Sequence, residues 1–317
     1  MAPSRFLLKA SAFALLVSSP SVGFSQNYPS KPIRIVTLGV GGGGDLVSRM
    51  VAQGITGPLG QPVIVENRSA PQALEMVANA PPDGYTLTIA GPSVWMGAFL
   101  QKMPHNANNF APISLISREI NIITVHPSLP VKNVKEFVAL ARARPGQLNY
   151  GSAGLGSAPH LATLLFDSMA GTKTVHIPYK SGGLAGIDLL SGHIEFMIAS
   201  APGVMSFVKT GRLRALAVTS EQPSALAPGI PTATSTGLPG FVTTTMTSGF
   251  SSPNTPAAII NRLNQEIVRV LAQPDVKAKF LSMGSETVGS SPEQWAAIMK
   301  AEIVRMSKLI EDANIKF

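Results

Sequence analysis

Short runs of aliphatic and β-branched residues alternate with longer segments of mixed polarity along most of the chain. This alternation predicts an α/β fold, because strands that are covered by helices on both faces read as continuous apolar runs. For the same reason we expect the sheets to be mainly parallel. The predicted strands are 33–38, 62–66, 85–90, 113–117, 121–125, 148–151, 174–177, 195–198, 213–219 and 244–250.

Polar residues and prolines predict where several helices begin. Asn133 stands three residues before Glu136, and Ser291 stands three residues before Gln294, as in helix-capping boxes. Pro256 is placed to open another helix. The last helix carries an apolar stripe that we expect to pack in the core. The stripe consists of Trp295, Ile298, Met299, Ile303, Met306 and Ile310.

The chain is predicted to form two lobes with a ligand cleft between them, since its length of 317 residues suits two units. The segment 220–239 is rich in Pro, Ser, Thr and Gly, which is typical of a long surface connection. We predict that 26–123 and 242–317 form lobe 1 and that 124–241 forms lobe 2.

The first 25 residues have the features of a secretory signal peptide. Arg5 and Lys9 precede a short apolar run, 10–17, which is followed by small, turn-prone residues. We predict that 1–25 is a signal peptide, that it is cleaved near Ser25 and that the protein is exported to the periplasm. The apolar run by itself is too short to span a bilayer.

The composition excludes several kinds of chemistry. Hydrophobic residues make up 45% of the chain, which is incompatible with disorder, and the absence of cysteine excludes disulfides, thiolate metal sites and a cysteine nucleophile. The net charge is +8, but Lys and Arg are not clustered as nucleic-acid binding requires. The five histidines lack metal-ligand spacing. We therefore expect no metal, no cofactor, no catalytic residues and no nucleic-acid partner.

Four consecutive glycines, Gly41–Gly44, follow the first predicted strand and precede Asp45. Several backbone N–H groups at a helix N-terminus attract an anion, so the first interpretation is a cradle for a carboxylate. A second interpretation is a dinucleotide-binding fingerprint, with Gly39 as its first glycine and Glu66 at the end of the next strand. The third is a tight turn without a ligand. All three remain open at this point.

A second glycine-rich turn, 151–157, follows a strand of lobe 2 and precedes a helix that contains His160. Ser152 and Ser157 add hydroxyl groups to this turn. Ligands of open α/β sheets bind outside the carboxyl ends of the strands, so two such turns that face each other form a cleft. His160 is expected to contact the ligand or to brace the turn.

The order of short motifs resembles the Bug-type receptors, which are the extracytoplasmic solute-binding proteins of tripartite tricarboxylate transporters. The resemblance covers essentially all of 27–317. It is carried by YPSKPIR at 28–34, the glycine turn ending in Asp45, LGQPV at 59–63, ENR at 66–68, PDGYTL at 82–87, FAPIS at 110–114, LNYGS at 148–152, HL at 160–161, PYK at 178–180 and LRALAVT at 213–219.

This resemblance implies a two-lobed periplasmic-binding-protein fold of type II, with two crossovers between the lobes. It also implies capture of a small carboxylate by lobe closure, membrane transporter subunits as partners, a monomer and no enzymatic activity. By position, the candidate ligand-binding residues are Gly39, Val40, Gly41, Gly42, Gly43, Gly44, Asp45, Ala70, Gln72, Ser93, Ser152, Gly154, Gly156, Ser157, His160, Tyr179, Ala199 and Ser200.

The sequence departs from the family pattern in the second loop, 69–72, which is shorter and has no glycine. It also lacks an acidic residue in 199–202, where family members often carry Asp beside a ligand amino group. Two other functions are weighed against a transport receptor: a ligand-binding sensor or adaptor for a signalling system, and an exported NAD-dependent oxidoreductase.

Overall fold

The structure is a computed structural model, and it describes residues 28–100 and 107–312. The predicted signal peptide, 1–25, lies outside these residues. No helix in the two described ranges is both long enough and apolar enough to cross a membrane.

Within these ranges the chain forms ten strands and eleven α-helices. The strands are β1 (Ile33–Leu38), β2 (Val63–Arg68), β3 (Thr86–Ala90), β4 (Ala111–Val125), β5 (Asn149–Ser152), β6 (Val175–Pro178), β7 (Phe196–Ser200), β8 (Arg214–Val218), β9 (Thr244–Ser251) and β10 (Ser285–Thr287). The helices are α1 (Gly43–Leu59), α2 (Ala70–Ala78), α3 (Ser93–Leu100), α4 (Val134–Ala143), α5 (Ala158–Ala170), α6 (Gly182–Ser191), α7 (Ala201–Lys209), α8 (Ala233–Thr236), α9 (Ala257–Leu271), α10 (Pro274–Ser282) and α11 (Pro292–Asp312).

Strand β4 joins the two halves of the sheet. Its residues 111–120 pair with β9, whereas 121–125 pair with β7 and β8. The strand order is β2-β1-β3-β9-β4-β7-β5-β6, and β8 and β10 also pair with β4. We call the half that contains β1, β2, β3, β9 and β10 the first lobe, and the half that contains β5, β6, β7 and β8 the second lobe.

Two expectations about the sheet are wrong. The predicted strands 113–117 and 121–125 are parts of the single strand β4. In addition, only the pairs β1–β2, β1–β3, β5–β6 and β5–β7 are parallel, and the five other pairings are antiparallel. The reason is that β4 and β9 run back along their neighbours instead of returning through a helical crossover.

The C-terminal segment returns to the first lobe and completes its core. Trp295 of α11 is fully buried, and its ring lies 5.2 Å from that of Trp95 and 5.9 Å from that of Phe250. The other residues of the predicted apolar stripe pack in the same cluster, so the prediction that the stripe is core is confirmed. The second lobe has a separate aromatic core around Phe137, Phe166 and Phe196.

The predicted helix starts are also confirmed. The Asn133 side chain accepts a hydrogen bond from the backbone N–H of Glu136, 2.9 Å away, and α4 begins at the next residue. Ser291 and Gln294 exchange side chain–backbone hydrogen bonds of 2.9 and 3.2 Å ahead of α11. These bonds satisfy N–H groups that the first turn of a helix leaves without partners.

Candidate functional site

A cavity of about 120 Å³ lies between the two lobes, at the carboxyl ends of their parallel strands. Five helices begin beside it: α1 at Gly43, α3 at Ser93, α5 at Ala158, α6 at Gly182 and α7 at Ala201. Two of these helices belong to the first lobe and three to the second. Each N-terminus presents N–H groups and the positive end of a helix dipole, so together they make the cavity attractive to an anion.

One wall of the cavity is a polar ladder on the two central strands, β4 and β9. Residues two apart on a strand share a face, which places Ser117 and Glu119 opposite Thr247 and Thr245. Asn121 continues this face and donates a hydrogen bond of 3.0 Å to the hydroxyl of Thr243, just before β9. Thr245 donates a hydrogen bond of 2.6 Å to the amide oxygen of Asn121. Glu119, Thr245 and Thr247 line the cavity.

Glu119 is the one ionisable side chain on the described cavity wall. It is 1% exposed, and its Oε1 accepts hydrogen bonds from the hydroxyls of Ser117 at 3.0 Å and Thr247 at 2.9 Å. Burial raises the pKa of Glu119, although hydrogen bonds from Thr247, Ser117 and Ser200 oppose the shift. No cation on the described wall balances this carboxyl group.

The structure places many of the predicted site residues at this cavity. Both glycine turns reach it, which is the arrangement that the sequence predicts for an anion-binding cleft. The predicted residues on its wall are Gly39, Gly42, Gly43, Gly44, Ser93, Ser157, Ala199 and Ser200. Val40, Gly41 and Gln72 instead line an outer recess at the mouth of the cleft. Asp45, Ala70, Ser152, Gly154, Gly156, His160 and Tyr179 line neither space.

Asp45 stabilises the first glycine turn through a hydrogen bond to its backbone. Its Oδ2 accepts the backbone N–H of Gly41 at 3.1 Å, and its Oδ1 contacts Asn67 at 2.8 Å and Arg49 at 3.0 Å. Burial raises the pKa of Asp45, but the hydrogen bonds from Asn67, Gly41 and Arg49 outweigh that effect and lower it. The ionised carboxylate therefore fixes the turn and is already engaged.

The second glycine turn is held by hydroxyl groups and histidines. The Ser152 hydroxyl lies 3.1 Å from the carbonyl of Gly154 and 2.6 Å from Nε2 of His176. The backbone N–H of Gly156 donates to Nδ1 of His160 over 3.2 Å, and the two histidine rings are 4.3 Å apart. Of the two roles predicted for His160, the structure supports bracing of the turn.

Tyr179 is also held by hydrogen bonds within the protein, and Ala70 lies at the start of a helix. The Tyr179 hydroxyl donates to Asp188 over 2.7 Å, and the Tyr179 backbone N–H donates to the carbonyl of Ser152 over 3.0 Å. Ala70 is the first residue of α2, which only Ser69 separates from β2, so 70–72 of the expected second loop are helical. A direct contact of these residues with ligand stays a prediction.

Acid is expected to destabilise the protein through these histidines. Burial, together with repulsion by His176, lowers the pKa of His160 from 6.5 to about 3, and burial also lowers that of His176. Below pH 6.5 the unfolded chain binds protons that the folded protein does not, so the free energy of unfolding falls as the pH falls. Each such proton changes this free energy by about 1.4 kcal/mol per pH unit.

The measurement is the free energy of unfolding in urea at several pH values between about 4.5 and 7.5, from which the slope against pH is obtained. In His160→Asn the side-chain amide oxygen can still accept the N–H of Gly156. The free energy of unfolding of this variant should depend less on pH than that of the wild type. The exposed His193, which lies 3.5 Å from Asp188 and outside the glycine turn, supplies the control, and His193→Asn should change the slope less than His160→Asn does. Equal slopes for wild type and His160→Asn would contradict the assignment.

The two lobes touch at backbone level beside the cavity. A Cβ placed on Gly39 would lie 2.2 Å from Cβ of Ser181 and 2.6 Å from the carbonyl oxygen of Lys180. A Cβ on Gly183 would lie 2.9 Å from the carbonyl oxygen of Val40. Real Cβ atoms do not come this close to backbone atoms. Glycine at these two positions is therefore required for the observed approach of the lobes.

Several residues on the cavity wall were not predicted from the sequence, above all Glu119, Ser181, Gly182, Thr245 and Thr247. A signal for Glu119 existed, because a charged residue within an apolar strand is rarely buried without a function. The helix start at Ser181 also carries a signal, a serine followed by two glycines after a strand.

The site has few features of a cofactor or metal site. Glu66, the acidic residue of the possible dinucleotide fingerprint, forms ion pairs with Arg34 and Arg68. Among the residues that the structure describes, no three His, Asp or Glu side chains come together as a metal site would need. Arg68 and Lys180 line the outer recess and give its mouth positive charge.

This fold and cleft define the class of two-lobed periplasmic binding proteins. The chain belongs to the tripartite tricarboxylate transporter family receptors, since the family profile of that description matches residues 47–315. This result confirms the resemblance that the sequence motifs indicate.

Individual relatives agree over nearly the whole chain. Protein BugT of Bordetella pertussis is 31% identical over 300 residues, which are 92% of this chain and 92% of BugT. The structure of R. palustris Rpa4515 with adipate matches with a TM-score of 0.87 and 31% identity, over 91% of this chain and 99% of that one. MatC from Rhodopseudomonas palustris with bound malate matches with a TM-score of 0.84 and 26% identity, over 89% and 100%. These matches confirm the predicted two-lobed fold.

Proposed function

We propose that this protein is a periplasmic receptor that captures a small carboxylate between its lobes and presents it to a tripartite tricarboxylate-type transporter. The observation that carries the proposal is the convergence of five helix N-termini, from both lobes, on one cavity without a basic side chain on its described wall. Such a site recognises an anion through backbone N–H groups. Similarity to proteins solved with adipate and malate supports the same ligand class.

The proposal includes the organisation of the exported chain. Residues 1–25 act as the signal peptide, 26–123 with 242–317 form one moving lobe, and 124–241 form the other. A ligand that contacts both lobes stabilises the closed arrangement, which the transporter then recognises. The receptor works as a monomer and catalyses no reaction.

The available interactions are sufficient for binding in this mode. A hydrogen bond to a charged carboxylate contributes about 1.5–3 kcal/mol, so four of them contribute roughly 6–12 kcal/mol before the cost of ordering. A micromolar complex requires about 8 kcal/mol. The N–H groups of two or three helix starts therefore suffice.

The proposal is tested by thermal-shift screening of the purified mature chain, followed by calorimetry. The ligands are mono-, di- and tricarboxylates, α-amino acids, aromatic acids and the methyl ester of each compound that binds. We expect at least one free acid to raise the melting temperature and its methyl ester not to do so. If esters bind as tightly as acids, or if no acid binds, the proposed anion site is wrong.

A further inference from the structure

The wall of the cavity contains one acidic side chain among features that favour an anion. Glu119 is almost completely buried, and its described hydrogen-bond donors are hydroxyl groups on β4, β7 and β9. Hydroxyl groups solvate a carboxylate but do not neutralise it. Burial of an ion without a counter-charge is unfavourable, so a ligand that supplies the counter-charge gains affinity from Glu119.

The position of Glu119 limits which part of a ligand it meets. Its Oε2 lies 3.5 Å from the point where a Cβ of Gly43 would be, and the Ser200 hydroxyl lies 3.1 Å from that point. Gly43 is the first residue of α1, and Ser200 directly precedes α7. The carboxyl group therefore stands beside two of the helix N-termini that attract an anion. A ligand seated there needs a negative group and a positive group only a few ångströms apart.

We propose that Glu119 selects an α-amino acid as the ligand, with the carboxylate held by the helix N-termini and the protonated amino group hydrogen-bonded to Glu119. The inference rests on the proposed function, since it assigns the second half of the same ligand. In an α-amino acid both charges are attached to one carbon, which matches the short spacing. A dicarboxylate would instead bring a second negative charge towards Glu119, where like charges repel strongly.

Calorimetry with matched ligands tests this assignment on the purified mature chain. Each set keeps the carbon skeleton and changes one group: aspartate, malate and succinate; glutamate, 2-hydroxyglutarate and glutarate; valine and 2-hydroxyisovalerate. For at least one set we expect the amino acid to bind at least about tenfold more tightly than its hydroxy analogue, as a charge-assisted hydrogen bond predicts.

The variant Glu119→Gln keeps the shape of the side chain and removes its charge. We expect it to reduce amino-acid affinity at least about tenfold and to reduce or abolish the preference for the amino acid over the hydroxy acid. Glu286→Gln is the matched control. Glu286 is exposed on β10, one residue beyond the position paired with Glu119, so this variant removes the same charge outside the cavity. It should leave the preference unchanged.

The outcomes separate the two proposals. If hydroxy acids or dicarboxylates bind as tightly as the amino acids, or if Glu119→Gln keeps the preference, the role of Glu119 is wrong while the carboxylate receptor stands. Dicarboxylate binding that strengthens at low pH would show a protonated Glu119 donating to a second carboxylate, and would also overturn the inference. If no acid of any set binds, the role of Glu119 is wrong, and if no acid of the wider thermal-shift screen binds either, both proposals fail.

Discussion

Replacing Gly43 by aspartate is expected to abolish ligand binding while leaving the protein folded. A Cβ at this position would already lie 3.1 Å from the Ser200 hydroxyl and 3.5 Å from Oε2 of Glu119. The new carboxylate would occupy the space proposed for the carboxylate of the ligand, and it would stand next to the carboxyl group of Glu119. With the Glu119 carboxyl group ionised, as the proposed ligand contact requires, two charges about 4 Å apart repel by roughly 4 kcal/mol where the effective dielectric constant is near 20.

Folding should survive because an acidic residue in the first turn of a helix interacts favourably with the helix dipole. The measurements are calorimetric affinity and thermal unfolding without ligand, and we expect affinity to fall at least about a hundredfold. Gly43→Asn separates the effect of bulk from that of charge. Gly57→Asp adds the same charge at an exposed position of α1, where a Cβ meets nothing within 4 Å, and should bind normally. Wild-type affinity in Gly43→Asp would remove Gly43 from the site.

The elements that the sequence predicts well are those decided by neighbouring residues. The caps at Asn133 and Ser291, the glycine turn after β1 and the apolar stripe of α11 all follow from local patterns. Their stereochemistry acts over three or four residues, so it can be read without knowing what packs against them. The prediction that the two glycine turns face one cavity depends instead on the parallel order of strands in each lobe.

The continuity of the central strand β4 and the burial of Glu119 could not be predicted from the local sequence. Arg118 and Glu119 interrupt an apolar run, and two charged residues in succession normally indicate an exposed turn. Here β4 continues through them because β9 and β10 pair with it on both sides. The hydroxyls of Thr247 and Ser117 receive the Glu119 carboxylate, and Thr247 is 128 residues away along the chain. Such a partner is fixed by tertiary structure, so the error in the strand and the omission of Glu119 have one cause.

Asp45 illustrates the same limit within the glycine turn. Its place after four glycines is compatible with a ligand contact and with a structural role, and local pattern does not distinguish them. The distinction comes from Asn67 and Arg49, whose hydrogen bonds direct the carboxylate away from the cavity and towards the N–H of Gly41. Asn67 lies on another strand, and its contact with Asp45 depends on the parallel pairing of β1 with β2.

The second large effect is expected from a single methyl group between the lobes. In Gly39→Ala the new Cβ would overlap Ser181 and the carbonyl of Lys180 at 2.2 and 2.6 Å, so the lobes must separate by about 1 Å or more to restore contact distances. Gly183→Ala would act on the same interface through the carbonyl of Val40. Neither glycine has a positive φ, so the alanines introduce no backbone strain of their own.

Because the proposed ligand is held by helix N-termini from both lobes, a gap of this size lengthens the hydrogen bonds from one of them. Hydrogen bonds weaken steeply with such displacement, and we expect an affinity loss of about tenfold to a hundredfold for either variant. Small-angle scattering adds a second readout: the decrease in radius of gyration on ligand binding should be smaller in the variants than in wild type.

Gly186→Ala is the matched control for the interface, because Gly186 lines neither the cavity nor the outer recess. It places a methyl group in the same helix as Gly183, α6, and its Cβ meets nothing within 4 Å, so closure should be retained. Unfolding without ligand should also be unaffected in all three variants, since the lobe cores around Phe196 and Trp295 lie away from the contact. Wild-type affinity in both Gly39→Ala and Gly183→Ala would mean that ligand binding does not require this approach of the lobes. Capture would then rest on the helix starts of a single lobe.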